Sequence, residues 1–412
     1  MASSRDLPLA GYADEILTSL ARATGSAAIA KLDGATLLYE RAMLGGMRIP
    51  GRTSAGGGCR LFDAVGDTIA LNLSRPTDRE LLPALFETDN LDPNDEEAIA
   101  AHIARRDAAH LLARGRSIGL AIAAEHEALS CSASTGFGPA AVRAQATGAD
   151  FDPATARALA DAHCIATAST REPSAAVVEH AARRAPRVLD LSALWAGPLA
   201  AHLLWLAGAD VIKVESRTRP DAMRTGDNPF YALLNQGKAS VVLDFREADD
   251  RRALLSLIAT SDIVIEAARP RALAQLGIDV AQIVRSAPGL VWVTITGHGD
   301  VGEAANWVGF GDDCAVAGGL SAALRAATGR TGFVGDAIAD PLTGMSAALV
   351  AWDAWASQRG GRFVLAMSQI VARCLATLRE RDAAALNATL TAWSAAVGEP
   401  FPTVQRRPIE NS

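Results

Sequence analysis

From Arg187 to Thr296 the chain alternates short apolar runs with helical ones, and no other feature constrains its fold as strongly. RVLDLS is followed by LAAHLLWLAG, ADVIKVE, ASVVLDF, EADDRRALLSLIATS, DIVIEA, the pair RALAQLG and DVAQIVRSA, and LVWVTIT. Runs such as VLDLS and VIKV are short, continuous and apolar, as strands buried on both faces must be. Strands separated by helices of this length imply parallel crossovers. The expected fold class is therefore α/β, a Rossmann-like parallel sheet with helices on both faces, joined to a smaller α+β domain.

The smaller domain is read from residues 1–130. Residues 10–48 carry apolar positions at helical spacing. Residues 60–73 alternate around Val65-Gly66-Asp67, which is a hairpin pattern. PTDRELLPALF opens a helical stretch on Pro76, and LDPNDEEAIAAHIARRDAAHLLARG begins acidic and ends basic, as a helix dipole favours. Residues 131–185 read as a connecting region rich in small residues, with weak helices such as FDPATARALADAH. Residues 186–385 form the expected Rossmann-like domain, and 386–412 a C-terminal helix and tail.

A net charge of −7 argues against nucleic acid or a membrane surface as partner. Cys59, Cys131, Cys164, Cys314 and Cys374 are widely spaced, with no C-x-x-C. That spacing suggests a reducing compartment and no metal site. His102 and His110 read as one solvated helix face. The apolar run LAAHLLWLAGADVIKV is short for a membrane span and carries His202, Asp210 and Lys213. The start of the chain lacks a signal-peptide core. The expectation is a soluble cytoplasmic protein.

Three motifs bear on ligands. Gly297-His298-Gly299-Asp300-Val301-Gly302 spells G-x-G-x-x-G, but it follows LVWVTIT, read as the last strand. No clean strand and acidic residue come after it, so a glycine-rich loop is favoured over a dinucleotide site. After ADVIKVE come Lys213, Arg217, Arg219 and Arg224, with Lys238 further on. Such a basic set at strand ends suits a phosphate-bearing ligand, or else a solvated loop. Gly56-Gly57-Gly58, in the 54–58 stretch SAGGG, is either a mobile flap over a site or a flexible entry to a strand.

RVLDLSALWAGPLAAHLLWLAGADVIKVE, NPFYALLNQGKASVVLDFR, DIVIEAARPRALAQLGID and APGLVWVTITGHG together resemble the family III CoA-transferases over roughly residues 186–375. These are the formyl-CoA, carnitine and bile-acid type, with α-methylacyl-CoA racemases among their relatives. The resemblance implies transfer of coenzyme A between an acyl-CoA and a carboxylic acid acceptor. CoA thioester is then a substrate, with no tightly bound cofactor. It implies a homodimer, with a paralogous subunit as a further option. Asp340, in VGDAIADPLTGMSAALVAW, matches the family's nucleophile, with Asp336 the nearby alternative. The mechanism implied is an aspartyl anhydride followed by an aspartyl-CoA thioester, with oxyanions held by the backbone N–H groups of Thr343 and Gly344. CoA would be met by Leu194, Trp195, Ala196, Gly197, Lys213, Arg217, Arg224, Lys238, Ala267 and Ala268. The glycines would cover Asp340 as a flap.

The chain departs from the family pattern in several places. Ala239, Ala267, Ala268 and Gln275 stand where members often carry other residues, two of them arginines. Phe310 falls where the racemases have their histidine, so a transferase is favoured over a racemase. The segment resembling the family's second domain precedes the nucleotide fold here, which implies a permuted order or the remnant of a fused copy. A non-catalytic CoA-binding paralogue stays open beside the two enzymes.

Overall fold

A computed structural model describes residues 7–127, 142–145, 184–405 and 407. The reading FDPATARALADAH, with most of the connecting region, lies outside the described residues.

Among the described residues, ten strands fall into two sheets. β1 (Cys59–Asp63), β2 (Thr68–Asn72) and β3 (Ala121–Ala124) form a small antiparallel sheet. The larger sheet contains β4 (Val142–Gln145), β5 (Arg187–Asp190), β6 (Asp210–Ser216), β7 (Ala239–Leu243), β8 (Ile263–Glu266), β9 (Val291–Thr296) and β10 (Gly361–Ala366). Its order is β4-β10-β9-β8-β5-β6-β7. Only β4 runs antiparallel, as an edge strand on β10. Numbered along the chain from β5, the six parallel strands read 3-2-1-4-5-6, the doubly wound order. The switch point lies between β5 and β8, which pair in parallel with Leu189 opposite Val264. Ligands of such sheets sit beyond the strand carboxyl ends at that crevice.

Burial follows position in the sheet. Central β8 is buried at every residue, whereas edge β7 exposes Ala239, Ser240 and Val242. LVWVTIT is not the last strand: β10, GRFVLA, follows it and extends the parallel sheet. The glycine motif after β9 opens no α-helix; a 3-10 turn, Gly302–Asn306, follows instead. This agrees with the glycine-loop reading.

The helix Ala339–Ala356 lies at the centre of the molecule and is buried on nearly all sides. Its small residues permit that. A Cβ on Gly344 would come within 2.7 Å of the Ala196 carbonyl and 3.0 Å of Leu199 Cβ, so this glycine lets it cross the Ala196–Leu206 helix closely. Trp352 on the same helix donates its indole N–H to the Ala23 carbonyl at 3.0 Å.

That contact ties the N-terminal helices, expected in the smaller domain, to the large unit. The helices Ala10–Thr24 and Gly34–Leu44 bury Ile16, Leu17, Leu20, Leu37, Leu38 and Tyr39 in the main core, together with Leu342 and Trp352. They belong to the large unit because their apolar faces pack there. The small sheet has its own core, from Phe62 and Ile69 to Leu111 and Ile122. It meets the large unit where Cys59, Leu61, Ala70 and Ala123 pack on Val316, Ala317 and Phe333. Close to the expected break at 385/386, Asp382 leaves the helical conformation and its Oδ1 accepts from the Ala385 N–H at 2.9 Å, as a fresh helix cap does. One helical stretch runs Met367–Ala395, kinked at Asp382. Among the described residues no helix is long and apolar enough to cross a membrane.

Candidate active site

The turn between β5 and the Ala196–Leu206 helix stands at the switch point. Leu194 is held at φ 68, a strained value for a branched side chain. Its N–H donates to both Asp221 oxygens, at 3.2 and 3.1 Å. Trp195 is buried and meets Phe230 edge-on, with ring centroids 4.9 Å apart. Gly197 packs on Ser192, where a Cβ would lie 2.1 Å from Oγ. The Ala196 N–H donates to Asp340 Oδ1 at 3.3 Å. Thus the structure brings Trp195, Ala196 and Asp340 together.

Asp340 sits in the first turn of the Ala339–Ala356 helix, not at its N-cap. Thr343 and Gly344 lie beyond that first turn, and their N–H groups fall within the intrahelical ladder. The expectation that they hold an oxyanion is corrected; the donor observed on Asp340 is the Ala196 N–H. Gly311 makes room for the carboxylate, since a Cβ there would lie 2.2 Å from Asp340 Oδ2 and 2.3 Å from the Ala337 carbonyl. Ala337 is itself left-handed at φ 42, and its N–H donates to Asp312 Oδ1 at 3.0 Å. Strained backbone therefore flanks Asp340 on both sides of the crevice, at Leu194 and Ala337.

Two further carboxylates and one cation complete this cluster. Asp336 is fully buried and accepts a fork from Arg41, Nε to Oδ2 at 2.7 Å and Nη2 to Oδ1 at 2.5 Å. The Arg41 guanidinium also lies 5.0 Å from the centre of the Trp195 ring. Burial raises the Asp340 pKa to about 7; Arg41 and the Ala196 N–H pull it down, and Asp312 and Asp336 push it up. Burial, then Asp336, raises Asp312 to about 6 against the pull of Arg41. Asp313, bonded to Asn72 Nδ2 at 3.0 Å, is raised by burial to about 8. Carboxyl groups that gain protons near neutrality, gathered at a crevice, mark a site able to do chemistry. Arg41 and Asp312 escaped the sequence reading.

The basic set divides. Lys213 is buried, donating to the Ser192 carbonyl at 2.8 Å and lying 3.4 Å from Asp221. Lys238 is buried too, donating to Asp190 Oδ2 and the Pro198 carbonyl at 2.9 Å and to Asn235 Oδ1 at 3.1 Å. Both ammonium groups, expected to meet phosphates, are engaged by the protein's own oxygens, buried aspartates among them. Arg224 is half-exposed, forked onto Glu215 and stacked 4.6 Å from the Tyr231 ring centre. Arg217 and Arg219 are exposed. Beyond β8, Ala267 is exposed, and the Ala268 N–H donates to Glu266 Oε2 at 2.7 Å.

The glycine run is a closed turn. Gly57 N–H donates to the Ser54 carbonyl and Ser54 N–H to the Cys59 carbonyl, both at 2.8 Å. Gly57 takes φ 76, and a Cβ on Gly58 would lie 2.1 Å from Ser74 Oγ. Gly56 approaches Arg41, with its Cβ position 3.3 Å from Nη2. The run thus adjoins the carboxylate cluster through Arg41. Phe310 caps the Gly311–Ala317 helix, its N–H on Asp313 at 3.1 Å and its ring 5.7 Å below the Arg75 guanidinium. A surface hollow of about 520 Å³ lined by Arg52, Arg325 and Arg330 contains none of these residues, and so is not where this chemistry lies.

A doubly wound sheet with a half-buried carboxylate of raised pKa at its switch point defines an α/β protein of the nucleotide-fold class. The chain belongs to CoA-transferase family III, whose description matches residues 186–392. It is 33% identical over 174 residues to a succinate–glutarate CoA-transferase of Agrobacterium fabrum, covering 39% of this chain and 43% of that one. With a succinyl-CoA–D-citramalate CoA-transferase of Chloroflexus aurantiacus it shares 31% over 170 residues, 40% and 42% of the two chains. A formyl-CoA:oxalate CoA-transferase of Rhodopseudomonas palustris is 29% identical over 215 residues, 48% and 49%. The chain spans less than half the length of these relatives. A solved CAIB/BAIF family protein from Brucella suis overlaps 48% of this chain and 56% of its own, at 26% identity and a TM-score of 0.40.

Proposed function

We propose that the protein transfers coenzyme A from an acyl-CoA thioester to a carboxylic acid, with Asp340 as nucleophile. The observation that carries the reading is the placement of Asp340: half-buried at the switch point, bonded by the Ala196 N–H, in the segment that matches CoA-transferase family III. In the proposed sequence, an ionised Asp340 oxygen attacks the thioester carbonyl and CoA leaves as thiolate. The product is a mixed anhydride between Asp340 and the acyl group. The thiolate then attacks the aspartyl carbonyl, releasing the donor acid as carboxylate and leaving CoA on Asp340 as a thioester. The acceptor carboxylate displaces CoA to form a second anhydride, and thiolate attack on its acyl carbonyl frees the new acyl-CoA and Asp340. Water must be kept from both anhydrides, which a buried carboxylate favours.

The reading places the pantetheine at the Leu194–Gly197 turn and near Ala267 and Ala268, with the phosphates toward Arg217 and Arg224. Gly56, Gly57 and Gly58 form a cover over the Arg41 side of the site. Substrates are a small dicarboxylic acid and its CoA ester, by likeness to the succinate and glutarate named for the relatives. A cytoplasmic homodimer completes the proposal; the unpaired thiols of Cys59, Cys314 and Cys374 accord with a reducing compartment. A second reading, a CoA-binding paralogue without turnover, draws on Ala239 and Gln275 and on the internal engagement of both lysines.

Intact mass after incubation with succinyl-CoA decides between them. A mass gain equal to CoA on the wild-type protein, lost in Asp340→Ala and Asp340→Asn, is expected. A gain that persists in both variants assigns the nucleophile elsewhere. Folded protein that binds CoA but gains no mass with any acyl-CoA favours the paralogue.

A further inference from the structure

We propose that Arg41 is a positioning residue for the Asp340 carboxylate, delivered by a helix that lies outside the family-matched segment. The inference rests on Asp340 being the reactive group. Arg41 projects from the Gly34–Leu44 helix, while the family match begins at residue 186. Its guanidinium is fixed from two directions, by the fork onto Asp336 and by the face of Trp195. Trp195 immediately precedes Ala196, whose N–H holds Asp340. Gly56 leaves room on a third side, where a Cβ would lie 3.3 Å from Arg41 Nη2. An arginine so held acts as a fixed charge, and a planar fork locked onto a carboxylate loses little freedom in doing so.

The charges around Asp340 show why the cation is needed. Asp312 and Cys314 face it from the Gly311–Ala317 helix, and Asp336 from the loop before its own helix. The Ala196–Leu206 helix contributes a backbone N–H. Against two neighbouring acids, Arg41 supplies the positive charge. Without it a carboxylate among carboxylates is less ionised at neutral pH and attacks a thioester more slowly. A salt bridge that merely pinned the N-terminal helix to the core would serve stability alone.

The test titrates Asp340 directly. Protein with ¹³C in its aspartate carboxyl groups is followed by NMR against pH, and the Asp340 signal is assigned with Asp340→Asn. Arg41→Gln is expected to move the midpoint up by about one pH unit or more. The ionised fraction at pH 7 then falls from about half to about a tenth, and adduct formation with succinyl-CoA slows about fivefold there. The rates converge with wild type at high pH, and KM is little changed. Asp312→Asn, which leaves Arg41 in place, is expected to move the midpoint down. Arg41→Lys keeps the charge and is expected to stay near wild type. A folded Arg41→Gln protein with an unmoved midpoint overturns the proposal, as does an Arg41→Lys midpoint displaced as far as that of Arg41→Gln. If Arg41→Gln does not fold, Arg41→Lys decides: a midpoint near that of wild type is expected, and one displaced upward by about one pH unit overturns the proposal. The titration needs no turnover. Midpoints that differ between wild type and Arg41→Gln as expected, with no adduct from either protein, count against the transferase reading and support the role of Arg41.

Discussion

Two buried charge clusters lie on either side of the Leu194–Gly197 turn, and they are built on opposite plans. In one, Asp190 and Asp221 are matched by Lys213 and Lys238. Burial alone would raise Asp190, but Lys238 and then Lys213 overcome it and hold the pKa at about 2. In the other, Asp312, Asp336 and Asp340 share Arg41, and two of the three rise to about 6 and 7. The balanced set fixes backbone: Asp221 holds Leu194, and Lys238 ties Asp190 to Pro198. The unbalanced set leaves one carboxyl poised between its two states. Burial is common to both, so the difference lies in how many cations come along.

The largest break in this comparison is Lys238→Met. It leaves Asp190 buried without its closest cation and is expected to lower unfolding stability by about 3–5 kcal/mol, read by chemical denaturation. A loss below about 1 kcal/mol would mean that the balanced cluster holds little. Asp340→Asn should do the reverse. A carboxyl raised to about 7 keeps, in the folded state, a proton that the unfolded chain has already released. Stability therefore falls as pH rises from the ordinary carboxylate range to about 7 and is flat above it. Asn removes that loss, so the variant is expected to gain roughly 1–3 kcal/mol at pH 8, after allowance for partial exposure, and almost nothing at pH 4. An equal gain at both values would remove ionisation as the cause. The smallest effect belongs to Gly57→Ala. It faces open space at a left-handed φ and should cost about 1 kcal/mol without moving the Asp340 titration. A shift of that titration would couple the glycine turn to the cluster more tightly than its distance from Asp340 suggests.

Much of the large sheet was legible because its strands are short, apolar and separated by helices. β10 was missed because GRFVLA follows a long alanine-rich helix and carries an arginine. Asp340 was found through resemblance, since by local pattern it reads as a helix cap. Lys213 and Lys238 misled the reading because sequence shows a charge but not whether an aspartate waits beneath the fold. Arg41 lies 295 residues from Asp336, and no local pattern marks such a pair. A nearby cue was the glycine run, where a Cβ on Gly56 would lie 3.3 Å from the same arginine.

The packing of the two N-terminal helices against Ala339–Ala356 sets an order of events during folding. Their core-facing side chains, Ile16 and Leu38 among them, find their partner only after some 300 further residues of chain have been added. Contacts of such separation close late and slowly. The region that carries Arg41 is therefore expected to dock last, so that the carboxylate acquires its cation only when the rest of the sheet is already in place.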